Sequence, residues 1–191
     1  MTSAVEFTLA AAAAHAYVRR KMKLYTPSKE EAAGLLAAPA HFRGWSICED
    51  ASPPALLLER AIAAEDGGWR MPRLFCVEDS RQVVGSGAFK SEPGERKVEI
   101  GYGVSLSHRS RGYATAGVKL LVEEAFATGL IDEVYAEAAP ANEPSRRVLE
   151  KAGFAICGSG ENDAGPVGLW STKKEPNQPL GRTPPSGVCQ R

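Results

Sequence analysis

The sequence predicts a mixed α+β (α/β) fold, one sheet with helices packed on it, and three observations predict it. Strand-like and helical runs interleave along the chain. Hairpin signals stand at 73–89 and again at 154–172. Between them, a strand at 97–104, an amphipathic run at 111–128 and a strand at 133–138 form a crossover. Its two strands must lie parallel, with a right-handed connection.

Taken in order, the first 21 residues are set apart. Ala4 to Val18 is apolar and alanine-rich, as a signal peptide is, but no basic residue precedes it and Glu6 and His15 interrupt it. It is also too short and too weakly apolar to span a bilayer. Residues 1–21 are therefore expected to be an N-terminal extension, with one domain over 22–174. Lys23 to Tyr25 reads as the first strand. Thr26-Pro-Ser-Lys-Glu30 carries helix-start chemistry for a helix to about Ala38, which Pro39 ends. His41 to Ser46 is aromatic and irregular. Ser52, as a cap before two prolines, opens a second helix through Ala64, closed by Asp66-Gly-Gly68. Phe42, Trp45 and Trp69 either line a pocket or pack under a loop, and His41 has no assigned role.

Arg73 to Glu78 and Gln82 to Phe89 form a hairpin around Asp79-Ser-Arg81, and a polar turn leads into Lys97 to Val104. In the following run Ala114, Val118, Leu121, Val122, Ala125 and Phe126 recur at helical spacing, and Gly129 supplies a stop. Glu133 to Ala138 reads as a buried strand. Asn142 is a good cap for a helix to Ala152, with Gly153 in the terminating position. Phe154 to Gly158 and Pro166 to Thr172 make the last hairpin, turning at Asn162-Asp-Ala-Gly165. Residues 175–191, rich in proline and poor in apolar side chains, are expected to be disordered.

Composition excludes several classes. The chain has 191 residues, 43% hydrophobic and 24% charged, and its 23 basic residues equal its 23 acidic ones. A zero net charge argues against a nucleic-acid or anionic-membrane surface. The cysteines Cys48, Cys76, Cys157 and Cys189 show neither metal-ligand spacing nor a disulfide framework, so they read as reduced thiols of a cytoplasmic protein, and no metal site is expected. Cys76 and Cys157 lie in strand-like runs and are expected in the core.

The chemistry concentrates in Arg109-Ser-Arg-Gly-Tyr-Ala-Thr115, a strand-to-helix turn. The first N–H groups of a helix have no internal partner, and together with the helix dipole they suit a phosphate. Gly112 leaves room for close approach, and Arg109 and Arg111 add charge. The bland alternative is a plain glycine turn with solvated arginines. No Walker-type Gly-Lys-Ser/Thr and no Gly-x-Gly-x-x-Gly stretch is present, which argues against a nucleotide binder of another kind.

Arg109-x-x-Gly112-x-Ala114 resembles the acyl-CoA-binding signature of the GCN5-related N-acetyltransferases (GNAT). Ile100-Gly-Tyr-Gly-Val104 is similar to that family's fourth strand, and Asn142-x-x-Ser145 with Val148-Leu-Glu-Lys-Ala-Gly-Phe154 to its late helix. The spacing is most similar to the branch that holds the ribosomal-protein N-terminal acetyltransferases (RimJ/RimL-like). The resemblance implies a central, mostly antiparallel sheet of six to seven strands with about four helices, whose one parallel pair splays to admit a thioester. It implies acetyl-CoA as co-substrate and an amine as acceptor: a protein N-terminus, a lysine or a small molecule. It places Tyr102, Gly103, Val104, Arg109, Ser110, Arg111, Gly112, Tyr113, Ala114, Thr115, Asn142 and Ser145 against the cofactor. A backbone N–H within 101–104 would stabilise the oxyanion, and Gly101 and Gly103 suggest either a bulged strand that a ligand approaches or relief of packing against Tyr102. Basic residues near the ribose phosphate would come from Lys119, Arg146, Arg147 and Lys151, each equally an ordinary helix charge. For the base, Glu99 comes first and Glu137 on the neighbouring strand second; otherwise Glu99 is a solvated edge carboxylate. Many relatives carry a tyrosine acid where this chain has Leu149, so the thiolate would regain its proton from Ser145, from water or from no acid. A monomer or homodimer is expected, and a non-catalytic acyl-CoA-binding module is the competing function.

Overall fold

The computed structural model describes residues 21–65 and 68–175. The expected extension, the glycine pair closing the second helix and the expected disordered tail lie wholly or partly outside these residues. Nine strands form one sheet: β1 (Met22–Tyr25), β2 (His41–Phe42), β3 (Trp45–Ile47), β4 (Arg73–Val77), β5 (Gln82–Phe89), β6 (Lys97–Val104), β7 (Glu133–Ala138), β8 (Ala155–Asn162) and β9 (Gly165–Lys173). The main order is β1-β4-β5-β6-β7-β9-β8, and the β2–β3 hairpin joins β5 through two parallel pairs. Four α-helices are described: α1 (Lys29–Ala37), α2 (Ala55–Ala63), α3 (Tyr113–Ala127) and α4 (Glu143–Ala152).

Alternation along the strands sorts the core into two layers. Leu74, Cys76 and Val83 meet Ala32 and Leu35 of α1 and Leu58 and Ala61 of α2. Phe75, Val84, Val98 and Ile100 meet Val118 and Leu121 of α3 and Leu149 of α4. Successive strand side chains point to opposite faces, so helices cover both sides of the sheet. Gly117 lets α3 press on β4: a Cβ there would lie 2.7 Å from Phe75 Cδ2 and closer still to Cε2 and Cζ of that ring. Arg73, 7% exposed, joins β4 to α3 through Glu124 (2.7 and 2.9 Å) and lies over the Phe89 ring at 4.6 Å. Its guanidinium also donates to the Trp69 carbonyl (2.7 Å), which fixes the loop before β4.

The capping chemistry holds with one exception. Ser28 accepts from Glu31 N–H while Glu31 accepts from Ser28 N–H, a closed capping box. Asn142 caps α4, and Gly153 ends it at φ 93°. Ser52 does not cap α2, because the cap position falls two residues later, at Pro54, which has no side-chain cap to offer. Residues 41–46 are a tight hairpin rather than irregular, turning at Arg43 (φ 49°) and Gly44 (φ 76°). Strand β7 alternates half-buried and buried positions instead of being buried throughout. Strand β8 runs on to Asn162 and is exposed along its whole length, so Cys157 is exposed while Cys76 is fully buried.

β3 with β5 is one parallel contact among the described residues; the expected parallel pair is β6 with β7, and it is short. Only Lys97↔Glu133, Val98↔Val134 and Glu99↔Tyr135 pair. Beyond them β6 pairs with β5 alone, from Phe89↔Ile100 to Gly85↔Val104, and β7 with β9 alone, to Ala138↔Gly168. The strands part at their C-terminal ends.

Candidate active site

The turn from Ser105 to Thr115 carries the geometry expected of it. A short 3-10 turn (Leu106–His108) ends at Arg109, whose N–H bonds to the Leu106 carbonyl. Ser110 (φ 60°) and Gly112 (φ 84°) are both left-handed, so Arg111 stands between two inversions of the backbone. Such alternation turns successive N–H groups toward one side and forms an anion-binding concavity. Gly112 is the N-cap of α3 and has no side chain to close the end; Ala116 N–H makes the first bond, to the Gly112 carbonyl (3.0 Å). The N–H groups of Tyr113, Ala114 and Thr115 therefore lie outside the helical ladder. Ser110 and Arg111 are exposed, Tyr113 and Ala114 half-buried, and the Thr115 side chain is buried at 4%. His108 stacks 5.7 Å from Tyr113, and burial, followed by Arg111, holds its imidazole below the ordinary 6.5.

Across the opened strands, Tyr102 reaches the first turn of α4. Its hydroxyl lies 2.9 Å from Ser145 Oγ and donates to the Ser145 carbonyl (3.2 Å). Burial pushes the Tyr102 phenol up, and the Ser145 hydrogen bond only partly offsets this. Asn142 Oδ1 accepts from Ser145 N–H (3.2 Å), so its cap role is certain. Arg146 donates to the Pro140 carbonyl (3.2 Å) and Arg147 pairs with Glu143, so both are engaged locally.

Glu99 is not a solvated edge carboxylate. Its side chain is 16% exposed and pairs with Lys90, the residue just past the end of β5. The alternation of β6 puts Glu99, Gly101 and Gly103 on the face opposite Ile100 and Val104. Glu137 accepts from Asn162 at the far hairpin (2.8 Å). Tyr135 lies between the two carboxylates: burial first, then Glu99 and Glu137, push its phenol up. The expected bulge at Gly101 and Gly103 is absent, since the β5–β6 register is unbroken from residue 100 to 104. The tight approach is made from the other strand, where a Cβ on Gly85 would strike the Gly103 carbonyl; a Cβ on Gly103 would meet nothing within 4 Å.

On that face a cleft of about 420 Å³ is floored by Gly101, Tyr102 and Gly103 and walled by Pro54 and Leu57. Asp50, Arg60, Arg70 and Lys90 are its charged lining residues. Phe42, Trp45 and Trp69 do not line it: Phe42 is in the α1–α2 core, Trp45 packs near Tyr25 (5.7 Å) and Trp69 on Phe89 (4.9 Å). The reading of the sequence did not find Lys90, Arg60 or the Tyr102–Ser145 bridge. For Tyr102 a signal existed, a bulky residue between two glycines; for Arg60 there was none.

A sheet that opens beside an uncapped helix start, with Glu99 of β6 and Glu137 of β7 on the same face, is the arrangement that the family resemblance implied. The family model described as "Acetyltransferase (GNAT) domain" matches residues 6–155, and the chain belongs to that family. In Bacillus subtilis (strain 168), the uncharacterized N-acetyltransferase YjdG is 30% identical over 44% of this chain and 50% of its own length. The probable N-acetyltransferase YjcK of the same organism is 32% identical over 51% and 54%. The chain thus spans about half the length of the curated relatives it matches. Among solved structures, the ribosomal-protein-S5-alanine acetyltransferase from Vibrio fischeri superposes with TM-score 0.60 at 13% identity, over 83% of this chain and 96% of that one. The aminoglycoside acetyltransferase AAC(6')-Ib in complex with coenzyme A superposes with TM-score 0.57 at 17%, over 80% and 95%.

Proposed function

We propose that this chain transfers an acetyl group from acetyl-CoA to a primary amine, with residues 22–174 as the acyltransferase unit of a cytoplasmic enzyme. The observation that carries the reading is the parting of β6 and β7 beside the free helix start of α3. The residues present fit the group. Gly112 and Ser110 turn unpaired amides outward for a diphosphate, with Arg109 and Arg111 at the rim. Backbone groups of β6 and β7 beyond Glu99 and Tyr135 have no partner across the gap, so an extended amide-bearing arm can pair there as a strand does. Acetyl-CoA would supply an acyl group activated as a thioester, with the coenzyme A thiolate as leaving group.

The chain's own residues then do three things. Gly103, open on its side-chain face, leaves room for an oxyanion to reach a main-chain N–H within 101–104 that β5 does not use. Glu99, on the cleft face and paired with Lys90, accepts the ammonium proton directly or through a water, and Glu137, which accepts from Asn162, stands second. Leu149 is fully buried and cannot donate a proton. Ser145 is the hydroxyl placed for that role: held 2.9 Å from the Tyr102 hydroxyl, it can pass a proton to the departing thiolate and recover one from water, while the Tyr102 phenol, raised by burial, stays protonated.

The test is an amine panel with acetyl-CoA, following free thiol, together with thermal melts in CoA. At about 100-fold over its dissociation constant the ligand should add roughly 2.7 kcal/mol of stability. A melt that CoA does not move counts against the fold's assigned use. A shifted melt with no thiol release for any amine leaves an acyl-CoA-binding module.

A further inference from the structure

We infer that Ser86 of β5 binds the acceptor: its hydroxyl takes an uncharged oxygen, a hydroxyl or an amide carbonyl, that the acceptor carries at a set reach from its amine. The inference rests on the acetyltransferase reading for the place of the amine and on the cleft floor alone for Ser86.

The charges of the cleft cancel. Lys90 is paired with Glu99 and Arg70 with Glu92, and the other two charged lining residues, Asp50 and Arg60, have opposite signs. Polar recognition therefore falls to a neutral group. The Tyr102 hydroxyl is engaged with Ser145, and Ser52 is only half-buried. Ser86 differs from both. It is 9% exposed, it lines the cleft, and its hydroxyl makes no hydrogen bond among the described residues. A buried hydroxyl with no protein partner is costly unless a ligand or a water completes it.

The strand register says where that partner must stand. Ser86 pairs with Leu74 of β4 on one side and Gly103 of β6 on the other, and cross-strand partners share a face. Leu74 is apolar and fully buried. Gly103 has no side chain, and a Cβ there would meet nothing within 4 Å. The Ser86 hydroxyl thus opens on the space over Gly103.

The two strands then act as a ruler. Glu99, Gly101 and Gly103 follow one another along the cleft face of β6 about 7 Å apart, and β5 lies about 5 Å across. Glu99 takes the proton and the 101–104 segment meets the oxyanion, so the reacting nitrogen stands over Gly101. From there Ser86 is one step along and one strand across, about 8–9 Å. A hydrogen bond of about 3 Å covers the last part, leaving about 5–6 Å between the acceptor's nitrogen and its oxygen. That is roughly four or five bonds of an extended chain. Pro54 and Leu57 give the intervening methylenes an apolar wall.

The experiment runs a length series of amino alcohols on the whole chain with saturating acetyl-CoA: 2-aminoethanol, 3-amino-1-propanol, 4-amino-1-butanol and 6-amino-1-hexanol. Each is compared with the alkylamine in which a methyl replaces the hydroxyl, so amine basicity nearly cancels. The kcat/KM ratio should peak at the propanol or butanol, at roughly 3- to 10-fold in favour of the alcohol. In Ser86→Ala that ratio should fall to about one, through KM, with CoA affinity retained. A merely structural Ser86 would slow both members of a pair alike and leave the ratio standing. Whichever of 4-amino-1-butanol and 4-aminobutanamide loses more in Ser86→Ala names hydroxyl or carbonyl as the oxygen. A flat series, a peak at the shortest or longest member, or an unaltered ratio in Ser86→Ala would overturn the inference. A binding arm needs no turnover. Titration of the CoA-saturated protein with 4-amino-1-butanol and with pentylamine, followed by ligand-observed NMR, should show the same preference and its loss in Ser86→Ala. If no amine releases thiol, the acetyltransferase reading fails while this arm still decides Ser86; equal affinities there, or none, sink it.

Discussion

The 109–115 turn and the α2–β6 cleft adjoin the same strand but are built from different material. The turn is made of main chain: two left-handed residues, an uncapped helix start and one glycine, all within seven positions. The cleft is made of side chains brought from the 50–60 segment, the loop at 70–72 and strands β5 and β6. A local backbone device leaves a short spacing in sequence, because conformation and residue type are tied together. A surface assembled from distant side chains leaves no spacing at all, and it can change charge without changing the fold.

That contrast can be broken most forcefully on the cleft side. Glu99→Gln should keep CoA binding and lose about 10²- to 10⁴-fold in turnover, and the loss should shrink as pH rises and more acceptor is neutral amine. Glu137→Gln should cost less. Steady-state rates for both variants, with CoA affinity measured alongside, check this; normal turnover by Glu99→Gln would move the base elsewhere.

On the turn side, Gly112→Val forces a β-branched residue into φ 84° at the point a diphosphate would approach. CoA binding should disappear while circular dichroism keeps the native spectrum. Unchanged affinity in a folded variant would remove the phosphate cradle. Gly117→Ala sharpens the comparison by acting on neither site's chemistry. Its Cβ would collide with Phe75, so stability should fall by about 1–3 kcal/mol in denaturant unfolding.

The smallest effect belongs to His108. Its pKa lies below 6.5 in the free protein, so the unfolded chain takes up the proton first. The neutral imidazole's contribution is therefore present above about pH 6.5 and lost as pH falls through the lower folded value. A bound diphosphate would offset Arg111 and raise that value, so CoA should bind a few-fold more tightly near pH 5.5 than His108→Gln does, after both are matched at pH 8. Parallel pH profiles that never diverge would place the phosphates away from this ring.

Much of the fold was legible because its signals were local. The Asn142 cap, the Gly153 stop, the 73–89 hairpin and the 97–138 crossover each lie within a few residues of the groups that specify them. The misses have physical causes of their own. Arg43 adopts a left-handed turn conformation that its residue type does not advertise, which hid the β2–β3 hairpin. Gly158 and Gly160 are poor strand formers, yet pairing with β9 carries β8 through them. Cys157 looked like core by its strand neighbours, but edge position rather than local hydropathy sets its exposure. The glycines of β6 pointed to a bulge, whereas the crowding arises at Gly85, one strand away.

The three-pair seam of β6 and β7 has a kinetic consequence. The β4–β5, β5–β6 and β8–β9 pairs close through short connections, and β7–β9, although 30 to 40 positions apart from Ala138↔Gly168 to Glu133↔Lys173, gains six pairs, whereas the seam joins residues 36 positions apart, as Lys97↔Glu133, through α3 for three pairs. Loop closure of that length must precede a gain of only three pairs, so it is favourable only after α3 has docked on Phe75 and Ile100. The two half-sheets should therefore form as separate units and join late, and the seam amides of Val98 and Val134 should gain protection from hydrogen exchange after those of β5 and β9.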